Sequence, residues 1–131
     1  MRRNRGAALA GVLLVLAGLC GCTAGTTAST QHVVALVAKS TQTEFWLSVF
    51  AGAEAAATEY NVKLSIVGPE TEEDYETQNR MVAEAVEAGA EAVVFSAIDF
   101  ENNAVAIDQA AGEGVKIVAI DSNVASSAVS T

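Results

Sequence analysis

The amino-acid sequence predicts an α/β fold, a parallel sheet with flanking helices. Two observations carry this prediction. Short apolar runs rich in β-branched residues begin near residues 33, 62, 92 and 115, each suited to a strand buried on both faces. Between them, apolar residues recur at three- and four-residue steps, the period of a helix with one apolar face. Strands that alternate with helices at this interval pair in parallel through right-handed crossovers.

The elements follow in order. "HVVALVA" (His32 to Ala38) is the first strand. From Glu44 the period changes, and Phe45, Val49, Phe50, Ala53, Ala57 and Tyr60 define one face of a helix. "VKLSIVG" (Val62 to Gly68) is the second strand, stopped by Pro69. The acidic stretch "ETEEDYE" leads into a helix with Met81, Val82, Ala85 and Val86 as its stripe and Gly89 as its stop. "EAVVFSA" (Glu91 to Ala97) is the third strand. Asp99 is placed to cap the next helix, which carries Val105, Ala106, Gln109 and Ala110 and ends near Gly112 and Gly114. "VKIVAIDS" (Val115 to Ser122) is the fourth strand.

The first thirty residues read differently. "MRRNR" is a short basic segment, and "GAALAGVLLVLAGL" has the length of an export signal's apolar region. A membrane-spanning helix needs about 20 apolar residues, more than this run supplies. "LCGC" then resembles a bacterial lipobox, with Cys22 as the lipid acceptor after the small residue Gly21, although Cys20 stands where Ala or Ser is usual. The alternative is an ordinary secretory signal with two incidental cysteines. The expected organisation is a lipoprotein signal peptide over 1–21, a flexible tether of small and polar residues over 22–31, and a folded body over 32–131. No cysteine lies beyond residue 22, so the body has no disulfide framework, thiol nucleophile or cysteine metal site.

Charge narrows the partners. All sixteen acids lie at Glu44 or later, against four Lys and Arg, which leaves the body at −12. Nucleic-acid binding needs a basic footprint, and none exists here. The acidic run from Glu70 to Glu76 lacks the turn glycine of a calcium loop and reads as a solvated loop. "GEGVKI" lacks the third glycine of a dinucleotide fingerprint and precedes a strand, so no cofactor is implied. The one histidine, His32, opens the first strand, and no nucleophile elbow, P-loop or metal-ligand spacing is present. The expectation is a protein that is not an enzyme.

Ligands of open parallel sheets sit at the carboxyl ends of the strands. The candidate segments are therefore Lys39 to Trp46, Gly68 to Asp74, Ala97 to Phe100 and Asp121 to Asn123. Within them two large aromatics stand side by side at a strand-to-helix junction. Phe45 falls in register with the helix's apolar face and reads as core or as ligand contact. Trp46 lies one step off that stripe, nearer the loop, and reads as a ligand contact. Asp121 follows the fourth strand directly, where a ligand acceptor or a turn residue fits. Thr43 fits either role, and Asp99 reads as a cap.

At this point a family comes into view. "VALVAKSTQTEFWLSVFAGAEAAATEYNVKL" and "QNRMVAEAVEAGAEAVVFSAIDFENNAVAIDQAAGEGVKIVAIDSNV" resemble type I periplasmic sugar-binding proteins of the ribose-binding class, over about Val33 to Ala125. The resemblance implies a two-lobed clamp that delivers a sugar to an ABC importer. It places Phe45 and Trp46 against the sugar ring, Thr43 on a hydroxyl, and Asp121 as acceptor from two sugar hydroxyls. Ser122 stands where ribose binders commonly carry Arg, so the sugar's identity stays open. Residues 32–131 then correspond to a partial N-terminal lobe. Such a part is expected to leave the fourth strand as an edge or one sheet face incompletely covered. The implied partners are a sugar-like small molecule, ABC permease subunits and, through Cys22, the membrane. The implied location is outside the cytoplasm, lipid-anchored to the cell membrane. A ligand sensor serving a chemoreceptor or histidine kinase is the alternative. An export signal and the lack of a DNA-binding headpiece exclude a repressor.

Overall fold

Four parallel strands form where the apolar runs predict them, and a fifth, very short strand joins them. The computed structural model describes residues 30–130; the expected leader, Cys22 and residues 22–29 of the tether lie outside the described residues. The order along the chain is β1 (Val33–Val37), α1 (Glu44–Glu59), β2 (Lys63–Val67), α2 (Tyr75–Glu87), β3 (Ala92–Phe95), α3 (Ala104–Gly112), β4 (Lys116–Ala119) and β5 (Val129–Ser130). In space the sheet runs β2-β1-β3-β4-β5, and every pairing is parallel. Because β5 pairs with β4 through Ile117↔Val129 and Val118↔Ser130, β4 is not the edge that the sequence suggested. A two-residue strand has no periodicity to read; it forms because β4 presents unpaired backbone groups.

The strand alternation sorts the core into two layers. Ala35, Val37, Val93, Phe95 and Ile117 face α2 and α3, which contribute Val82, Ala85, Ile107 and Ala110. Leu36 and Ala38 face the other way, toward α1, with Leu64, Ile66, Val94 and Ile120 packed around them. Among the described residues α1 is the sole helix on that layer, and Val118, in register with Val94, keeps 37% of its surface exposed.

Helix boundaries follow local chemistry. Thr43 caps α1 and Asp74 caps α2, accepting from Thr77 N at 2.9 Å. Gly89, at φ +84°, ends the turn after α2, a conformation that costs other residues about 1 kcal/mol or more. Two expectations need correction. Asp99 does not cap α3: its Oδ1 accepts from Glu101 N and Asn102 N, closing the turn before the helix, and Asn103 occupies the cap position. Along α3, Ile107 and Ala110 turn inward while Val105 is exposed, because the helix starts at Ala104 and its phase follows that start.

One buried polar side chain joins these parts. Gln78, on α2 and fully buried, donates from Nε2 to Ala38 O (2.9 Å) and Ser96 O (2.8 Å), just past the ends of β1 and β3. Its Oε1 accepts from Ile98 N at 3.1 Å. Replacement by Leu would strand three backbone groups that water reaches poorly. Gln78→Leu is therefore expected to lower stability by about 3 kcal/mol in urea unfolding. A loss below about 1 kcal/mol would show that the strand ends find other partners.

Candidate ligand site at the strand ends

The sheet order places the switch point between β1 and β3: the connection from β1 leads outward to β2, and the chain then returns to the other side of β1. At such a point the loops after adjacent strands part and leave a crevice. Four polar side chains meet there. Asp121 Oδ2 accepts from Ser96 Oγ at 3.0 Å and from Ser122 Oγ at 3.2 Å. Lys39 Nζ lies 3.2 Å from the same oxygen and donates to Ser122 Oγ. Lys39 is mostly enclosed and Asp121 partly exposed, at 19% and 39% of their side-chain surfaces. Asp121 holds a left-handed backbone, φ +57°, which aspartate tolerates better than most residues.

The environment of Asp121 sets its charge. Burial pulls its carboxyl pKa upward, but hydrogen bonds from Lys39 and Ser96, the Lys39 charge and the Ser122 hydroxyl together outweigh burial. The carboxyl is held below its ordinary value of 3.8. The group is ionised at neutral pH and presents a charged acceptor.

The aromatic pair divides its work in a way the sequence does not reveal. The helical pattern puts Phe45 on the apolar face and Trp46 one step off it; the structure reverses the two. Trp46 is 1% exposed, packed with Leu36 and Ala38, and its Nε1 donates to Glu72 Oε1 at 3.1 Å. Phe45 is 55% exposed and meets the Trp46 ring edge-on, at 5.1 Å between centroids and 80° between planes. Phe50 stacks against Trp46, with 6.2 Å between centroids and 27° between planes. The indole is thus a fixed support, and the phenyl ring is the one with a face open to solvent. Thr43 is exposed, and its Oγ1 accepts from Trp46 N at 3.4 Å.

The structure therefore joins Asp121 and Ser122 in one cluster, and Phe45 with Trp46 in another at the same end of the sheet. Lys39 and Ser96 complete the first cluster, and neither stands out individually in the sequence. Lys39 had one available signal: it is the one Lys or Arg in the loops that follow the strands. Among the described residues no group of three or more His, Cys, Asp or Glu is placed to hold a metal ion.

A depressed native pKa means that the stabilising contribution of Asp121 is present above pH 3.8 and is lost as pH falls through the native value. A carboxyl NMR titration is expected to give Asp121 a midpoint below 3.8, and Lys39→Met should raise it. A midpoint at or above 3.8 in the unaltered protein would contradict the Lys39 contact.

Comparison with known proteins agrees with this fold. A family model described as the periplasmic binding protein domain matches residues 34–131. A comparison with curated protein sequences gave no match. Among solved structures, a sugar transporter from Clostridium phytofermentans is 32% identical, with a TM-score of 0.70, over 72% of this chain and 36% of that one. A carbohydrate transporter solute-binding protein from Agrobacterium radiobacter, solved with D-arabinose, is 30% identical with a TM-score of 0.74, over 77% of this chain and 34% of that one. A solute-binding protein from Actinobacillus succinogenes, at 22% identity and a TM-score of 0.68, shares the fold; the match covers 72% of this chain and 33% of that one. The chain spans about a third of the length of these structures. Parallel sheet, flanking helices and matched family model agree: the chain belongs to the periplasmic binding protein domain family, and its fold is that of the type I class.

Proposed function

We propose that this protein is an extracytoplasmic solute-binding lipoprotein that captures a sugar-like small molecule for an ABC importer. The observation that carries this reading is the pairing of an open aromatic face with a charged hydrogen-bonding cluster at one end of the sheet. A sugar ring has an apolar C–H face and a rim of hydroxyls. Phe45, braced by Trp46, supplies a flat apolar platform. Asp121 accepts from hydroxyl donors, while Lys39 and Ser122 offer donors beside it. Specific pockets combine apolar walls with a few placed polar groups in this way. The D-arabinose bound by the Agrobacterium radiobacter relative is consistent with a ligand of this chemistry. Thr43 contributes a hydroxyl at the same rim. Cys22 is assigned the lipid anchor, ABC permease subunits are the receiving partners, and the role is binding rather than catalysis.

Calorimetry of the natural-length protein against a panel of pentoses and hexoses tests the reading. With the best-bound sugar, Phe45→Ala is expected to weaken affinity by about five- to tenfold, since a lost stacking contact is worth about 1–1.5 kcal/mol. Leu47→Ala, equally exposed on the same helix, should leave affinity unchanged. Equal affinity for both variants would remove Phe45 from the site. For the anchor, Cys22→Ala should move the protein from the membrane fraction to the soluble fraction of the cell envelope. Retention on the membrane would remove the lipid.

A further inference from the structure

We infer that the site takes uncharged sugars and rejects their acidic counterparts, and that the Lys39–Asp121 pair is what sets this choice. The inference deepens the sugar-binding reading and rests on it.

The argument begins with where the charges lie. The loops that follow β1, β2, β3 and β4 carry seven carboxylates and a single cation, Lys39. Lys63 and Lys116 are the first residues of β2 and β4, so they sit at the far end of the sheet. Arg80 lies within α2, where it donates to Thr77 Oγ1 at 2.6 Å. Lys39 is thus the one cation of these loops that a ligand at the strand ends could meet, and its charge is already matched. Its ammonium is 3.2 Å from Asp121 Oδ2 and also donates to Ser122. That same carboxylate oxygen receives the Ser96 and Ser122 hydroxyls.

A hydroxyl both donates and accepts. A neutral diol can donate to Asp121 and accept from Lys39 without altering the charge balance between them. A ligand carboxylate can only accept. To reach Lys39 it must displace Asp121 or share the cation with it, which brings two negative charges together at one ammonium. Asp121 keeps 39% of its side chain exposed, so water screens part of this repulsion; a ligand seated over the pair displaces that water, and the like charges then oppose binding. A site that rejects a competitor by such repulsion gains specificity without any tighter contact to its proper ligand.

The test is calorimetry on the natural-length protein with matched pairs that keep the same ring: D-glucose with D-glucuronate, and D-galactose with D-galacturonate. For whichever neutral sugar binds, its acid is expected to bind at least about a hundredfold more weakly. In Asp121→Asn the Lys39 charge is left unmatched, so the ratio should fall to within about tenfold or reverse. In Lys39→Met the neutral sugar should bind more weakly and the acid should remain rejected, with a ratio no smaller than in the unaltered protein. An acid bound as tightly as its neutral partner by the unaltered protein would overturn the inference and leave sugar binding standing. Loss of both ligands in equal proportion by Asp121→Asn, with the ratio in Lys39→Met falling as well, would overturn it too. Binding of neither member of any pair would remove the sugar-binding reading, and this inference with it.

Discussion

The carboxamide of Gln78 is the contact on which the carboxyl end of the sheet depends. At a switch point the loops that follow two adjacent strands leave in different directions, and the first carbonyls beyond the ladder then lose the partners that it would provide. An α-helix crossing beneath them can supply those partners only with a side chain that both donates twice and accepts. Gln78 does so for Ala38, Ser96 and Ile98, and no hydrogen-bonding atom of the amide is left over. Lys39 follows Ala38 directly and Ser96 belongs to the clamp itself, so two of the four polar residues in the site are set by this buried contact. Gly68 adds a steric condition at the same end: a Cβ there would come 3.1 Å from Ala38 O.

From that base the aromatic pair can be understood. Neighbouring residues on a helix point about 100° apart, so Phe45 and Trp46 cannot both face the sheet. The larger ring is buried, where its indole N–H finds Glu72 and its surface packs with Phe50, Leu36 of β1 and Ala38 just beyond that strand. Burying tryptophan removes more apolar area from water than burying phenylalanine, and Glu72 satisfies the one polar atom that burial would otherwise strand. The smaller ring is left outside with its orientation restrained by an edge-on contact. A platform with few accessible orientations loses less entropy when a ligand settles on it.

Electrostatics act on a third level. A body charge of −12 confers no ligand preference by itself, since most of it faces bulk solvent. It gains meaning at the strand ends, where a single cation is enclosed and bonded to one carboxylate. The pair is locally neutral, an arrangement that presents donors and an acceptor together.

The strands, the helices and their parallel pairing were all legible from the sequence, and with them the end of the sheet where the candidate site lies. Each depends on local period and on the general handedness of crossovers, which neighbouring residues determine among themselves. Asp121 and Ser122 were legible for the same reason, as the residues that directly follow an apolar strand. Tertiary structure alone decided which aromatic ring is buried, that β5 covers the edge of β4, and that Lys39 and Ser96 join Asp121. Those outcomes depend on contacts between segments up to 83 residues apart, as in the bond from Lys39 to Ser122. A periodic pattern carries no information about which distant side chain will arrive to satisfy a charge or fill a volume, and packing settles it once the sheet has formed.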